Sequence, residues 1–390
     1  MRAKSSKTRI PLFDLKVSAA AKKEVAKTLT SGWLTSGPRV AAFERAVAKL
    51  LGVRYSAAVS SATVGLQLAL RAIDIGPGDE VVTTPFTFVA TLEAIMATGA
   101  RPVLADINPD TLNIDPDEIE RKITGHTRAL VPVDIAGYPA DYEQLCAISG
   151  EFSIPVVSDS AHAVGSAYRN RSIPRLADAS VFSFYSTKNL TCGEGGMVVS
   201  KHKTLAETVR CLARHGLTSQ AWTRKTGSEQ TYDAVSAGFK ANMSDVHAAI
   251  GLGQLGTLAS DQKLRELLAM RYLENLQDLP ELVELPTIQR HYRHGWHLFI
   301  VRLHLSALKI DRDRFIHLMA ARGIECGVHY RPIFELSYYR DALGLSPQYF
   351  PNSAYAGRRV VSLPLYPCLK AGEVDYVCEC AAEILKKNAR

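Results

Sequence analysis

From about residue 55 to 215, short apolar runs rich in β-branched residues alternate with stretches whose apolar positions recur at helical spacing. That is the pattern of an α/β unit with a largely parallel sheet. The spacing predicts strands over 56–59, 80–84, 102–105, 129–133, 155–158, 180–184 and 197–200, with helices over 64–72, 88–97, 116–123, 142–149 and 205–214 between most of them. Ser244 reads as the N-cap of a helix through Val246, Ala249, Ile250 and Leu252, continuing past Leu255 into a long connector around 261–276. Beyond it the texture changes: 296–303 and 324–329 read as strands, and 312–322 and 373–387 as helices. The expected division is a large domain over 1–254, including an N-terminal arm, and a smaller α+β domain over 255–390. There is no internal repeat and no low-complexity tract.

Two of these strands end on groups that carry chemistry. The run Val181-Phe182-Ser183-Phe184-Tyr185-Ser186-Thr187-Lys188 reads as a strand closing on a lysine, and Gly193-Glu194-Gly195-Gly196 then turns into the strand that starts at Met197. A lysine at the mouth of a sheet can be desolvated, which lowers its pKa and leaves a neutral amine able to attack a carbonyl. The run Ile154-Pro155-Val156-Val157-Ser158-Asp159 likewise ends on a carboxylate. A strand-end lysine to hold an aldehyde, with a strand-end aspartate to keep a ring nitrogen protonated, is what a pyridoxal phosphate site requires.

Other positions fit around that pair. Ser60-Ser61-Ala62-Thr63 ends a strand and opens an apolar helix, so the unpaired amides of Ala62 and Thr63 offer a phosphate site, although alone the segment is a simple helix cap. Phe88 stands where a strand turns into a helix and could lie against a ring; read alone, an aromatic there belongs to the core. Ser183 could aim a hydroxyl at the same phosphate, and His162 follows Asp159 by three positions. Two tempting motifs are set aside. Gly251-Leu252-Gly253-Gln254-Leu255-Gly256 spells G-x-G-x-x-G inside a helix rather than after a strand, so its glycines are read as close helix packing. His291, His294 and His297 have no acidic or cysteine partners, and no metal site is expected.

The bulk composition narrows the class. With 390 residues, 47% hydrophobic and 22% charged, the chain can bury a large core. Its formal charge of +7 is not gathered into a basic run, which argues against nucleic-acid binding. No segment approaches the roughly 20 apolar residues of a membrane span. Arg2, Lys4, Lys7 and Arg9 are not followed by the apolar stretch of a secretory signal. The 7 cysteines are an odd number without a C-x-x-C pair, so reduced thiols and a cytoplasmic location are expected.

Over nearly its whole length the chain resembles the DegT/StrS-type nucleotide-sugar aminotransferases, pyridoxal phosphate enzymes of fold type I. The likeness rests on Gly32-Trp33-Leu34-Thr35-Ser36-Gly37-Pro38, on Ser61-Ala62-Thr63, on Asp159-Ser160-Ala161-His162-Ala163, and above all on Phe182-Ser183-Phe184 through Lys188-Asn189 with Gly193-Glu194-Gly195-Gly196. Ser158 stands where the family more often has glutamate, and Ala62 where it usually has glycine, which suits a residue with negative φ. Gly238-Phe239-Lys240-Ala241-Asn242-Met243 is similar to the segment that reaches the phosphate of the neighbouring subunit, with Lys240 and Asn242 in its two polar positions. His294-Gly295-Trp296-His297-Leu298-Phe299 and Gly327-Val328-His329-Tyr330 look most like the branch that makes UDP-4-amino-4-deoxy-L-arabinose for lipid A modification.

The resemblance implies a homodimer that transfers an amino group from L-glutamate, leaving 2-oxoglutarate, to a 4-keto nucleotide sugar. It implies Lys188 and Asp159 as catalytic groups, and His162 orienting the substituents of the pyridoxal 5'-phosphate ring while Phe88 stacks on it. Ala62, Thr63, Ser183 and the partner subunit's Asn242 would hold the phosphate, with Tyr185, His329 and Tyr330 on the substrate side. A sugar 3-dehydratase of the same family would carry histidine in place of Lys188; a non-catalytic regulator on the same scaffold is the other alternative.

Overall fold

The computed structural model describes residues 9–227 and 230–390, so the basic Arg2, Lys4 and Lys7 lie outside the described residues. The alternating runs form one continuous sheet in the order Arg101–Leu104, Glu80–Thr83, Thr127–Leu130, Val157–Asp159, Ala179–Ser183, Gly196–Ser200, Tyr55–Val59. Its two halves are joined where the Leu130 amide donates to the Pro155 carbonyl and the Asp159 amide to that of Pro132, both at 2.9 Å. All strands run parallel except Gly196–Ser200, which is antiparallel to both its neighbours. This is the mostly parallel sheet of fold type I.

Side chains alternate across the pleat, and each face is covered by helices. On one face Val181 and Val198 pack with Leu66 and Ala69 of Ala62–Arg71 and Leu205 and Val209 of Lys203–Leu212. On the other, Phe182, Met197 and Val199 pack with Phe43 and Val47 of Pro38–Leu50 and Ala248 of Asp245–Leu255. A second, antiparallel sheet of Val283–Glu284, Phe299–Leu303 and Val360–Leu363 is backed by Leu258–Leu276 and Ala371–Lys387. Ile10 is buried in that same core, and its amide donates to the Gly323 carbonyl at 2.8 Å. Among the described residues no helix is long and apolar enough to cross a membrane.

Several expectations are corrected. The strand into Lys188 stops at Ser183, and the Lys188 amide instead closes a turn onto the Tyr185 carbonyl at 2.9 Å. Hydrogen bonds from the Phe184 amide to Gly195 and from the Cys192 amide back to Phe184 divert the chain there. The segment 324–329 is no strand but makes two isolated bridges, Ile10 to Ile324 and Gly327 to Ser362. The strand expected from 296 begins at Phe299, after Trp296 takes a positive φ of 48°. Helices Ala19–Thr30 and Pro38–Leu50 were not expected, although Ser18 caps the first and Pro38 opens the second. The first lies on the glycines of Asp245–Leu255, where a side chain at Gly253 would stand 2.2 Å from the Ala21 Cα, and one at Gly251 would stand 2.6 Å from both the Cys192 sulfur and the Phe43 ring. The G-x-G-x-x-G spacing is therefore a helix-packing device. The second is capped by Asp245, whose buried carboxylate accepts the amides of Gly37, Arg39 and Val40 at 2.8, 3.1 and 2.9 Å.

Candidate active site

A cavity of about 580 Å³ opens at the carboxyl ends of the parallel strands, the edge where α/β sheets collect their ligands. One wall is the start of helix Ala62–Arg71. Ser61 caps it by accepting the Val64 amide at 3.3 Å, and the Gly65 amide bonds the Ser61 carbonyl at 3.0 Å. The amides of Ala62 and Thr63 make no hydrogen bond among the described residues, which leaves two donors and the positive end of a helix facing the cavity. Ala62 has helical backbone, so an alanine sits there without left-handed strain. The cradle rests on Gly196: a Cβ there would meet the Ser61 carbonyl carbon at 2.5 Å and the Ala62 nitrogen at 2.6 Å. Ser183 lines the same wall, and since its hydroxyl oxygen accepts the Tyr185 amide at 3.3 Å, its proton is free to donate.

Lys188 and Asp159 line this one cavity. Burial pushes the Lys188 amine down from 10.5 to about 8, against the pull of the Asp159 carboxylate. Asp159 is itself raised above the usual carboxylate range by burial, an effect offset by hydrogen bonds from the Thr91 hydroxyl at 2.8 Å and the Ala161 amide at 3.2 Å and by the charge of Lys188. The carboxylate is thus oriented from two sides before any ring nitrogen reaches it.

His162, His297 and His329 surround the pair, and burial first, then the Lys188 charge, holds all three below the ordinary imidazole range, His329 at about 4. His162 Nδ1 accepts the Ala136 amide at 3.3 Å. The neutral ring therefore carries its proton on Nε2 and donates it to the Tyr330 oxygen at 3.0 Å, leaving the tyrosine proton for another acceptor. Phe88, which precedes helix Val89–Met96, and Tyr185 are 57% and 47% exposed at the cavity, so neither is a core aromatic.

The structure thus brings Ala62, Thr63, Phe88, Asp159, His162, Ser183, Tyr185, Lys188, His329 and Tyr330 around one cavity. Asn242 is elsewhere: its amide nitrogen donates to the Ser36 hydroxyl at 2.6 Å, its amide oxygen is buried without a partner among the described residues, and it does not line its own chain's cavity. Sequence reasoning missed Thr91, His297, Leu12 and Phe13. Thr91 acts across the fold on Asp159 with no local pattern to mark it; His297 lies within the His294–Phe299 motif, but nothing in that motif tied it to Lys188; Leu12 and Phe13 come from the N-terminal segment.

Residues 16–382 match the model of the DegT/DnrJ/EryC1/StrS aminotransferase family. The chain belongs to this family. The spore coat polysaccharide biosynthesis protein SpsC of Bacillus subtilis is 41% identical, the match covering 93% of this chain and 94% of SpsC. Among solved structures, the candidate sugar aminotransferase Spr1654 of Streptococcus pneumoniae in its PLP form superposes with a TM-score of 0.90 at 31% identity, over 97% of this chain and 99% of that one. PseC of Helicobacter pylori, an aminotransferase involved in the biosynthesis of pseudoaminic acid, also gives 0.90, at 28% identity over 97% of this chain and 100% of its own.

Proposed function

We propose that this member of the family is a pyridoxal 5'-phosphate enzyme that moves the amino group of L-glutamate to the keto carbon of a 4-keto nucleotide sugar. The observation that carries the reading is a depressed lysine amine and a buried carboxylate in the same cavity as two free helix-start amides. Bound there, the cofactor supplies the aldehyde that carries the amino group and the ring that withdraws electrons. The amides of Ala62 and Thr63 and the hydroxyl of Ser183 hold its phosphate. Asp159, fixed by Thr91 and Ala161, accepts the hydrogen bond of the protonated ring nitrogen. His162, anchored by the Ala136 amide, orients the ring substituents, and Phe88 covers a ring face. Lys188 Nζ, neutral in a large fraction near pH 8, removes the α-proton of the donor and in the second half-reaction returns a proton at the sugar C4. Tyr185, His329 and Tyr330 face the sugar.

The enzyme works as a homodimer. Lys188 is the only cationic side chain lining the cavity among the described residues, so none of the described residues offers a phosphate dianion or a dicarboxylate donor an arginine to pair with. Asn242, outside its own cavity, is offered to the neighbouring one. A cytoplasmic location is supported by 7 cysteines that are all unpaired.

The test is amination of a panel of 4-keto nucleotide sugars with L-glutamate, read as 2-oxoglutarate formed. The small-sheet resemblance favours a UDP-linked 4-ketopentose. One buried methyl is worth only about 1–3 kcal/mol, so the UDP-4-keto-6-deoxyhexose should react too, with lower kcat/KM. Failure on every keto sugar would refute the activity. Preference for a 3-keto, GDP-linked or dTDP-linked sugar would refute the pentose alone.

A further inference from the structure

Of the three imidazoles around Lys188, two have nitrogens already committed. His162 uses Nδ1 for the Ala136 amide and Nε2 for the Tyr330 hydroxyl, and His329 uses Nδ1 for the Ser362 hydroxyl at 2.8 Å. His297 differs. Its Nε2 lies 3.5 Å from the Lys188 amine, while its Nδ1 is buried with no partner among the described residues. Its backbone is fixed, the His297 amide donating to the Ala136 carbonyl at 2.9 Å, and its ring lies 4.4 Å from that of His162. An unpaired buried nitrogen is costly to keep. It has one chemical consequence, that no hydrogen bond among the described residues fixes which nitrogen carries the ring proton. With the proton on Nδ1, Nε2 accepts from a lysine ammonium; with the proton on Nε2, it donates to a neutral amine.

We propose that His297 is a positioning residue for Lys188, holding the lysine's amino group at the cavity floor in both of its protonation states by exchanging one imidazole tautomer for the other. The inference rests on the aminotransferase reading only in its use, because a lysine that is bound covalently and then freed needs a fixed resting place. Burial, with the charges of Lys188 and Arg265 nearby, keeps His297 neutral over the pH range in which Lys188 titrates. The groups that face the lysine are Asp159 from the strand end, His162 from the loop after it, and His297 and His329 from the C-terminal half.

The test uses the full-length apoenzyme, with the Lys188 pKa obtained from the pH dependence of its reductive methylation followed by mass spectrometry. His297→Leu costs the ammonium a charge-assisted bond and the neutral amine only an ordinary one, so Lys188 should titrate about one unit lower. His297→Gln, whose amide can rotate to accept or donate, should bring the value back. In turnover the leucine variant should lose about tenfold in kcat with the KM for keto sugar unchanged, and the glutamine variant should recover most of that loss. An unshifted Lys188 in folded His297→Leu, or no recovery in folded His297→Gln, would overturn the proposal while leaving the transaminase activity to its own assay. Should the leucine variant not fold, the imidazole resonances of His297 can be titrated in wild type and in Lys188→Met. They should move to higher pH once the lysine charge is gone, and identical titrations would overturn the proposal.

Discussion

Lys188→Met should abolish turnover and yet make the apoenzyme more stable. Holding the amine at about 8 instead of 10.5 means that the folded protein carries an ammonium it solvates worse than water does. That difference corresponds to at most about 3 kcal/mol. Because the lysine side chain is only half-buried, cavity water screens part of it, and ~1–2 kcal/mol is the expected gain for an unbranched apolar replacement of similar length. The sign follows from proton counts. Between about 8 and 10.5 the unfolded chain binds the lysine proton and the folded chain does not, so wild-type stability rises with pH across that window. The penalty is complete below it and gone above it. Urea unfolding of the two apoproteins should therefore show the variant ahead at pH 7 and level with wild type by pH 10.5. Borohydride reduction of the loaded wild type should leave a pyridoxyl group on Lys188. Equal apoprotein stability at pH 7, or a variant that loses stability there, would show that Lys188 is not held as a destabilised cation.

Gly196→Ala places a methyl 2.5 Å from the Ser61 carbonyl carbon, and the displaced peptide carries the Ala62 amide with it. Pyridoxal phosphate affinity, measured by fluorescence titration, should weaken at least tenfold while the far-UV spectrum stays that of wild type; unchanged affinity would separate those amides from the phosphate. The proposed homodimer predicts that Lys188→Ala and Asn242→Ala subunits, dissociated and mixed, regain activity that neither has alone, since some hybrids would hold one intact site. A fully active monomer by sedimentation would refute shared sites.

The alternating apolar runs made the strands legible because a strand covered by helices on both faces has to be apolar almost throughout, a local property that can be read without knowing which distant strand each run pairs with. Strand ends were legible for the same reason, and Asp159 and Ser61 stand at or just past them. The turn at Lys188 was not, because Phe184 still reads as strand and only hydrogen bonds to Gly195 and Cys192, across the loop, end it early.

What tertiary structure alone decided is which distant groups meet. The G-x-G-x-x-G run took its meaning from Ala21 and Phe43, more than 200 positions away. Thr91 turned out to orient Asp159, and Asp245 to cap a helix that starts at Pro38, through hydrogen bonds that no local periodicity encodes. His297 belonged to a row of histidines without metal partners until the fold set its Nε2 3.5 Å from Lys188. Sequence fixes where backbone must be buried, since burial is repaid residue by residue along the chain. The chemistry of the site depends on desolvation and on contacts between segments far apart, and these exist only once the chain is packed.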